Sequence, residues 1–196
     1  MNSVKLLIVV FVFLYACNPG NKSGGPAISF GIHEVVTGSE LPASVIDSLI
    51  AHHVVMNEQP RQSIIGYLPT GDTTKWAISF PEIQIQLIKT AFPVGNEGNH
   101  FAIVAIKYNP VISNSDIHKT KPRSRTVEMQ FTLEGAKKWA ELTKSNIGKQ
   151  IAFVIDNQVY SMPEIRGVIN EGAALIAGLE SEELAKTISD RLNEGL

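Results

Sequence analysis

Cys17 is the only cysteine in the chain, and it ends a short apolar run that occupies residues 6–16 behind Lys5. The run falls well short of the roughly 20 apolar residues that a membrane-spanning helix needs. A basic start followed by a short apolar run is typical of a secretory signal. With one cysteine the chain has no internal disulfide, so the fold after the signal must be stabilised by its hydrophobic core alone.

The residues at the end of the run, Leu14, Ala16 and Cys17, resemble the lipobox of bacterial lipoproteins. In that class of protein the signal is cleaved before the cysteine, which is then acylated with fatty acids such as palmitate. The resemblance implies that residues 1–16 are a lipoprotein signal peptide and that Cys17 is the lipidation site. Two or more acyl chains give stable membrane attachment. A plain secreted protein and an uncleaved anchor are the alternatives.

Residues 17–27 are rich in Gly, Ser, Asn and Pro, a composition that predicts a flexible tether between the lipid and the folded part. Asn18 stands where some bacteria use aspartate to retain lipoproteins at the inner membrane. Because Asn18 is not that aspartate, the lipoprotein resemblance implies attachment to the outer membrane, facing the periplasm. The lipid bilayer is then one partner of the protein, through acylated Cys17.

The balance of charges excludes one class of partner. The chain has 17 Lys and Arg residues against 19 Asp and Glu residues, a net charge of −2. Nucleic-acid binding needs a clustered basic surface, so no nucleic-acid partner is expected. The basic run at residues 118–125 is interpreted as a solvated linker, with a patch facing phospholipid or an acidic partner as the alternative. A hydrophobic content of 44% supports a substantial core.

Residues 28–108 are patterned as a smaller α/β unit, which we call the base-like subdomain. Residues 28–36 have strand character, and residues 41–53 place apolar side chains at helical spacing. Residues 100–108 form a nearly continuous apolar run, which is typical of a central strand covered on both faces. Residues 109–125, which are polar and contain prolines, are interpreted as a linker.

The local signals are clearer in residues 126–196. A helix is predicted after Thr132, which is a suitable N-cap, and another after Ser181. Asp156 and Asn157 separate two apolar strands and have the chemistry of a two-residue hairpin turn. The order of elements is β-α-β-β-(β)-α, which predicts an α+β fold with helices on one face of an antiparallel sheet.

The residues of this region also point to a family. The stretch FTLEGAKKWAELTKSNIGKQIAFVIDNQVYSMPEIRGVINEGAALIAG, followed by EELAKTISDRLNEG, resembles the head of the first periplasmic domain of SecD and SecDF, membrane proteins that assist protein export. The resemblance implies that residues 126–196 are a head-like subdomain whose partner is an exported or unfolded polypeptide. SecD and SecDF also carry transmembrane helices that couple proton flow to export. Such helices are not found in this sequence, so no proton-driven motor is expected.

No catalytic or metal site is expected. Asp156 is interpreted as a turn residue whose carboxylate bonds local backbone, with a catalytic acid as the minor alternative. His33 is not followed by the second histidine of a zinc protease, and no serine stands in a recognised nucleophile motif. The chain is therefore expected not to be an enzyme, to hold no cofactor or metal, and to have no small-molecule substrate.

Trp139, Tyr160 and Met162 are the candidate contacts with a peptide or protein partner. For Trp139, as for Trp76, a place in the hydrophobic core is favoured over a place in a peptide groove. Fold alone does not determine function, so two functions stay open. The first is a membrane-anchored, non-enzymatic binding module that contacts exported or unfolded polypeptide through sheet edges and grooves of the head. The alternative is a structural or regulatory lipoprotein with one specific envelope partner.

Overall fold

The structure is a computed structural model that describes residues 28–59, 62–69, 71, 76–94 and 98–196. The predicted signal peptide, Cys17 and the predicted tether lie outside the described residues, so these stay predictions. The helices of the described ranges are α1 (Ala43–Ala51), α2 (Leu133–Ser145) and α3 (Glu182–Glu194). The strands are β1 (Phe30–Val36), β2 (Val55–Met56), β3 (Ile64–Pro69), β4 (Ala77–Phe80), β5 (Ile85–Lys89), β6 (His100–Lys107), β7 (Ile112–Ser113), β8 (Ile117–Arg123), β9 (Thr126–Phe131), β10 (Ile151–Ile155), β11 (Gln158–Ser161) and β12 (Ala173–Ile176).

Within the described residues, the larger sheet contains nine strands, and β1 joins its two halves. Residues 30–34 of β1 pair antiparallel with β10, whereas residues 35–36 pair with β6. Strand β6 is buried from residue 101 to residue 106 and pairs with β1, β3 and β5. The prediction of a central strand covered on both faces is therefore confirmed.

The larger sheet curls until its β11 edge meets β5. Thr90, just after β5, forms a bridge with Val159 of β11, and the Ala91 N–H donates to the Val159 carbonyl at 2.8 Å. The curl encloses a small apolar core. Its buried members are Ile88, Val104, Ile106, Ala152, Val154 and Val159.

The smaller sheet of the described residues has three antiparallel strands in the order β12-β9-β8, and α2 and α3 pack against it. Thr132 Oγ1 accepts a hydrogen bond from the Gly135 N–H at 3.1 Å. Ser181 Oγ accepts one from the Leu184 N–H, also at 3.1 Å. Both predicted N-caps are confirmed, because each side chain accepts from a donor that the first helical turn leaves unsatisfied. The predicted α+β class with antiparallel sheets is confirmed as well.

The strands of the predicted head are divided between the two sheets. Strands β9 and β12 belong to the smaller sheet, whereas β10 and β11 pair into the larger one. The reason lies in β10, whose five residues are all buried. Its odd-numbered residues belong to the core beneath α2, and two even-numbered residues belong to the core of the curled sheet. A strand that is apolar on both faces needs cover on both sides, and its place between two cores supplies that cover.

The structure corrects the local expectation for residues 109–125, which were interpreted as a linker. They contain β7 and β8, and β8 pairs with β9 while burying Ile117 and Thr120. Lys119 and Lys121 stay exposed, because β8 is an edge strand with one wet face. This polar face gave the segment its linker-like composition. The division of the chain into base-like and head-like subdomains stays a prediction, although the β1–β10 pairing joins the two in one sheet.

Two further findings concern the described ranges alone. No helix there combines the length and the apolar character needed to cross a membrane. The same ranges bring no three His, Cys, Asp or Glu side chains together in a way that could hold a metal ion.

Candidate functional site

An open cleft of about 480 Å³ lies between β12 and residues 163–169. Trp139 of α2 and Phe153 of β10 line it, and their side chains are only 2% and 1% exposed. They therefore form the floor of the cleft. Its volume falls in the range of roughly 300–1,000 Å³ that proteins use for ligands. The cleft is the candidate functional site.

The floor of the cleft is part of the hydrophobic core. The Trp139 ring lies 5.6 Å from the Phe131 ring and 6.3 Å from the Phe153 ring, measured between centroids. Both distances are within the range of favourable aromatic pairs. The prediction that Trp139 packs in the core is confirmed, and the same side chain also reaches the cleft.

The polar atom of Trp139 is unsatisfied. Its indole Nε1–H is buried, and among the described residues it has no hydrogen-bond acceptor. A buried donor without an acceptor costs about 1–3 kcal/mol, and buried Trp N–H groups usually have a partner. The unsatisfied N–H is itself covered by the core, although other atoms of the Trp139 side chain line the cleft.

The outer wall of the cleft, residues 163–169, is held in place at both ends. The Ile165 N–H donates to the Lys149 carbonyl at 2.9 Å, and the Ile169 N–H donates to Thr143 Oγ1 of α2 at 3.0 Å. Gly172, at φ +64°, follows the wall, and a Cβ there would lie 2.9 Å from that of Ala136. Glycine thus lets the chain pass close to α2 on its way into β12. These bonds fix the wall of the cleft in advance of any ligand.

The rim of the cleft exposes apolar side chains. Val168 on the outer wall is 44% exposed, and Leu175 of β12 is 52% exposed. Glu164 and Arg166 also line the cleft, one charge of each sign, so the rim carries no net charge. Exposed apolar groups gathered around a cleft mark an interaction surface, whereas single exposed ones are ordinary. The site suits an uncharged, apolar occupant.

The structure does not bring the three predicted contact residues together. Trp139 lines the cleft, but Tyr160 is half-buried and packs edge-on against Phe92 with ring centroids 5.4 Å apart. Burial raises the pKa of the Tyr160 hydroxyl. Met162 lines a separate polar cleft of about 760 Å³. Their roles as partner contacts stay predictions, and only Trp139 belongs to the candidate site.

Sequence reasoning missed Val168 and Leu175, the exposed apolar residues of the rim. Both stand in short apolar segments of the sequence, which are consistent with extended chain but do not show which side chains are exposed. Neighbouring side chains of a strand point to opposite faces of the sheet, so Leu175 and Ala174 lie on different faces. Alternation alone does not say which of the two side chains faces solvent. Leu175 is exposed and Ala174 is buried because the helices cover only one face of the smaller sheet.

Asp156 is a turn residue, as predicted, but its carboxylate does not bond local backbone. Asp156 and Asn157 have φ values of +48° and +61°, which is the geometry of a tight hairpin turn. The carboxylate accepts a hydrogen bond from the distant Ser29 N–H at 3.0 Å and stands 3.6 Å from the Arg191 guanidinium. Asp156 therefore holds two remote parts of the fold together.

His33 and His52 form hydrogen bonds that serve the fold. His33 Nδ1–H donates to the Lys107 carbonyl at 2.8 Å, and burial lowers the pKa of its ring. His52 Nδ1–H donates to the Ser48 carbonyl at 2.8 Å, and its ring packs edge-on against buried Trp76. Trp76 is thus a core residue, as favoured from the sequence.

Comparison with known proteins adds three relatives. SecD of Rhodothermus marinus is 34% identical over 129 residues, which are 59% of this chain and 21% of that protein. SecDF of Thermus thermophilus is 49% identical over 69 residues, or 35% of this chain and 9% of that protein. SecD of Acidaminococcus fermentans is 26% identical over 98% of this chain and 48% of that protein. The chain spans less than half the length of each of these three relatives.

One solved structure is also similar to this chain. A structure of SecDF, described as a membrane component that enhances protein export, covers 86% of this chain and 63% of its own chain. Its sequence identity is 26% and its TM-score is 0.48. Residues 87–196 match the family model described as SecDF, P1 head subdomain. Because that match covers more than half of the chain, the protein belongs to the SecDF P1 head subdomain family.

Proposed function

We propose that this protein is a non-enzymatic binding module of the bacterial envelope that contacts exported or unfolded polypeptide through the cleft beside β12. One observation carries the proposal. Trp139 and Phe153 form the aromatic floor of a preformed cleft that is rimmed by exposed Val168 and Leu175. An unfolded polypeptide exposes apolar side chains that could fill this cleft, whereas folded proteins largely bury them.

The names of the relatives support the choice of partner. They are protein translocase subunits, so they act where polypeptides cross a membrane. This chain matches only part of each, and its share in export is our proposal. We infer that it contacts the chain in transit or the translocon beside it. Neither contact requires a reaction at the cleft.

The geometry around Asp156 supports a role without catalysis. Its carboxylate, the one acid in the predicted turn, is engaged by the Ser29 N–H and faces Arg191. A catalytic acid or base needs a reactive proton within reach of a substrate. We therefore assign Asp156 to the stability of the fold and no residue to a reaction.

We further propose that acylated Cys17 anchors the protein to the envelope, on the periplasmic side of the outer membrane. The lipobox-like residues around Cys17 and the absence of aspartate after it support this proposal. Replacing Cys17 with Ser removes the thiol acceptor. The variant should lose fatty-acid labelling and should either leave the membrane fraction or remain as a longer precursor. A Cys17→Ser protein that still carries fatty acid and sediments with membranes would contradict the anchor.

Site-specific photo-crosslinking in cells tests the polypeptide partner. A photoreactive residue at Val168 stands on the rim of the cleft, whereas one at Lys186 stands on the exposed side of α3 as a matched control. We expect the Val168 position to capture many different exported chains, with more product when export is slowed. The Lys186 position should capture few. Equal crosslinking at both positions would show that the cleft is not the site at which exported polypeptide binds.

The second candidate is a lipoprotein with one specific envelope partner. It is favoured by Ile50 of α1 and Val55 of β2, which are both 60% exposed and lie outside the cleft. They give the base-like region an apolar surface of its own. In the crosslinking experiment, a photoreactive residue at Val55 that captures one dominant protein, with no capture at Val168, would establish this second function in place of the first.

A further inference from the structure

We infer that the polypeptide binds by strand addition, joining the open edge of β12 as a fourth strand of the smaller sheet. This inference rests on the proposed function and specifies its substrate as an extended segment with apolar side chains at alternate positions. Three observations carry it: the free hydrogen-bonding edge of β12, the blocked opposite edge at β8, and the cleft that lies alongside β12.

The register of β12 leaves an edge of backbone groups free. The Phe131 N–H donates to the Gly172 carbonyl at 2.9 Å, and Ala174 lies opposite Met129. In an antiparallel pair, hydrogen-bonded positions alternate with positions whose N–H and C=O point away from the partner strand. Ala173 and Leu175 occupy those outward positions. No described residue forms a hydrogen bond with their outward groups.

The other edge of the same sheet is closed. Asn193 of α3 accepts from the Thr120 N–H at 2.8 Å and donates to the Thr120 carbonyl at 3.1 Å, so its side chain replaces a neighbouring strand. Pro122 follows at the next outward position of β8 and has no N–H to offer. Proline, lysines and a covered edge are the features by which proteins prevent strand addition. At β12, the sequence Ala-Ala-Leu-Ile contains none of them.

The cleft lies alongside the free edge and not on one face of the sheet. Ala173 and Leu175 point to the exposed face and Ala174 points to the buried face, yet all three line the cleft. A strand that pairs with β12 enters this space. Its side chains on one face point toward the aromatic floor formed by Trp139 and Phe153.

The same features select an extended polypeptide over a second copy of this protein. If two copies paired through β12, the cleft of one copy would face the same cleft of the other. Each cleft would then lack protruding side chains to fill it. Glu164 and Arg166 on the rim have opposite charges, so the cleft does not select a polypeptide segment by its net charge. Backbone hydrogen bonds give affinity without dependence on sequence, and the cleft adds a preference for apolar side chains.

Backbone methylation of a peptide tests the inference without altering the protein. The probe is a heptapeptide of alternating valine and serine, bound to the purified full chain and followed by fluorescence anisotropy. Two further peptides carry N-methyl groups on alternate residues, one set on the odd positions and the other on the even positions. A strand turns the N–H groups of odd and even residues to opposite edges. We expect one methylated peptide to bind about tenfold or more weakly and the other to bind like the parent.

The outcomes separate this inference from the proposed function. If both methylated peptides bind like the parent, or both lose affinity equally, strand addition is overturned and the polypeptide-binding function stands. If neither the parent peptide nor a permanently unfolded polypeptide binds, the proposed function is wrong. The inference of strand addition, which rests on it, is then wrong as well. If the full chain dimerises and the parent peptide does not dissociate the dimer, a second copy occupies the edge and the inference is overturned.

A pair of variants gives an independent readout. Leu175→Pro removes the outward N–H and the leucine side chain, whereas Leu175→Ala removes the side chain alone. Proline is tolerated at an edge-strand position whose N–H faces outward. We expect Leu175→Pro to weaken binding of the parent peptide several-fold beyond Leu175→Ala, with both variants folded by circular dichroism. Equal affinities for the two folded variants would show that the edge N–H takes no part.

Discussion

The Oδ1 atom of Asp156 accepts a hydrogen bond of 3.0 Å from the backbone N–H of Ser29, which lies 127 positions earlier in the chain. The Asp156 N–H donates in return to the Ser29 carbonyl at 2.9 Å. The turn between β10 and β11 is thus hydrogen-bonded to the residue that precedes β1. Strand β1 pairs with β10 in the same sheet. Through β1 and its pairing with β6, this contact joins the start of the described chain to the region that the family model covers.

Asp156→Ala should destabilise the fold. The substitution removes the acceptor for the Ser29 N–H, at about 0.5–1.5 kcal/mol, and places alanine at φ +48°, at about 1–2 kcal/mol. Asp156→Asn is the matched control, since asparagine keeps the oxygen and tolerates a left-handed backbone. Urea unfolding should show a clear fall in midpoint for alanine and a small one for asparagine. An equal fall for both would assign the effect to the charge facing Arg191 instead.

Trp139→Ala should strongly destabilise the protein, because the side chain is 2% exposed and packs on Phe131 and Phe153. Truncating a buried Trp costs about 3–5 kcal/mol, a large share of a typical stability of about 5–15 kcal/mol. The midpoint of denaturant unfolding should fall accordingly. An unmoved midpoint would contradict the core assignment.

Trp139→Phe separates the fold from the site. Phenylalanine keeps an aromatic side chain in the core but removes the buried N–H that lacks an acceptor. Stability should fall by less than in Trp139→Ala, since the lost packing is partly offset by the removal of an unsatisfied donor. Binding of an unfolded polypeptide should weaken several-fold, because the smaller ring alters the floor of the cleft. If anisotropy titrations give the same affinity for both proteins, the Trp139 ring does not contact the ligand.

Asn193→Ala should open the β8 edge and destabilise the packing of α3. Thr120 is 7% exposed, so its N–H and carbonyl lose their partner in a buried place, at about 1–3 kcal/mol. Asn193→Asp keeps an acceptor for the N–H but sets a second carboxylate oxygen against the Thr120 carbonyl, so a hydrogen bond is replaced by a repulsion. Both variants should therefore unfold at a lower urea midpoint than the wild type. A wild-type midpoint for either variant would contradict the role given to the Asn193 side chain.

Stability should fall as the pH drops below about 6.5, the ordinary pKa of histidine. Burial lowers the pKa of His33 in the folded protein, whereas the Lys107 carbonyl partly opposes this shift. Below about pH 6.5, His33 therefore binds a proton more readily in the unfolded chain than in the folded one. This difference lowers the free energy of unfolding as the pH falls. His33→Gln keeps a donor for the Lys107 carbonyl and does not titrate. Its urea midpoint should change less between about pH 7.5 and about pH 5.5 than that of the wild type. An identical pH dependence would rule out His33 as the cause.

The sequence alone determined the elements whose signals are local. Thr132 and Ser181 were identified as N-caps because a cap bonds a backbone N–H only three residues away. The Asp156–Asn157 turn followed from two residues that tolerate positive φ. The apolar run of β6 predicted a central strand, because a strand that is buried on both faces has apolar residues at successive positions and not only at alternate ones.

Only the tertiary structure decided what depends on distant partners. Strand β8 is polar in sequence, and it is a strand because β9 and Asn193 satisfy its backbone. The pairing of β1 with β10, which places the head strands in two sheets, joins segments that no local signal connects. The cleft exists because α2, β10, β12 and residues 163–169 meet around Trp139. Caps and turns are settled by contacts within a few residues, whereas a cleft and a free strand edge are defined by what the rest of the chain does and does not cover.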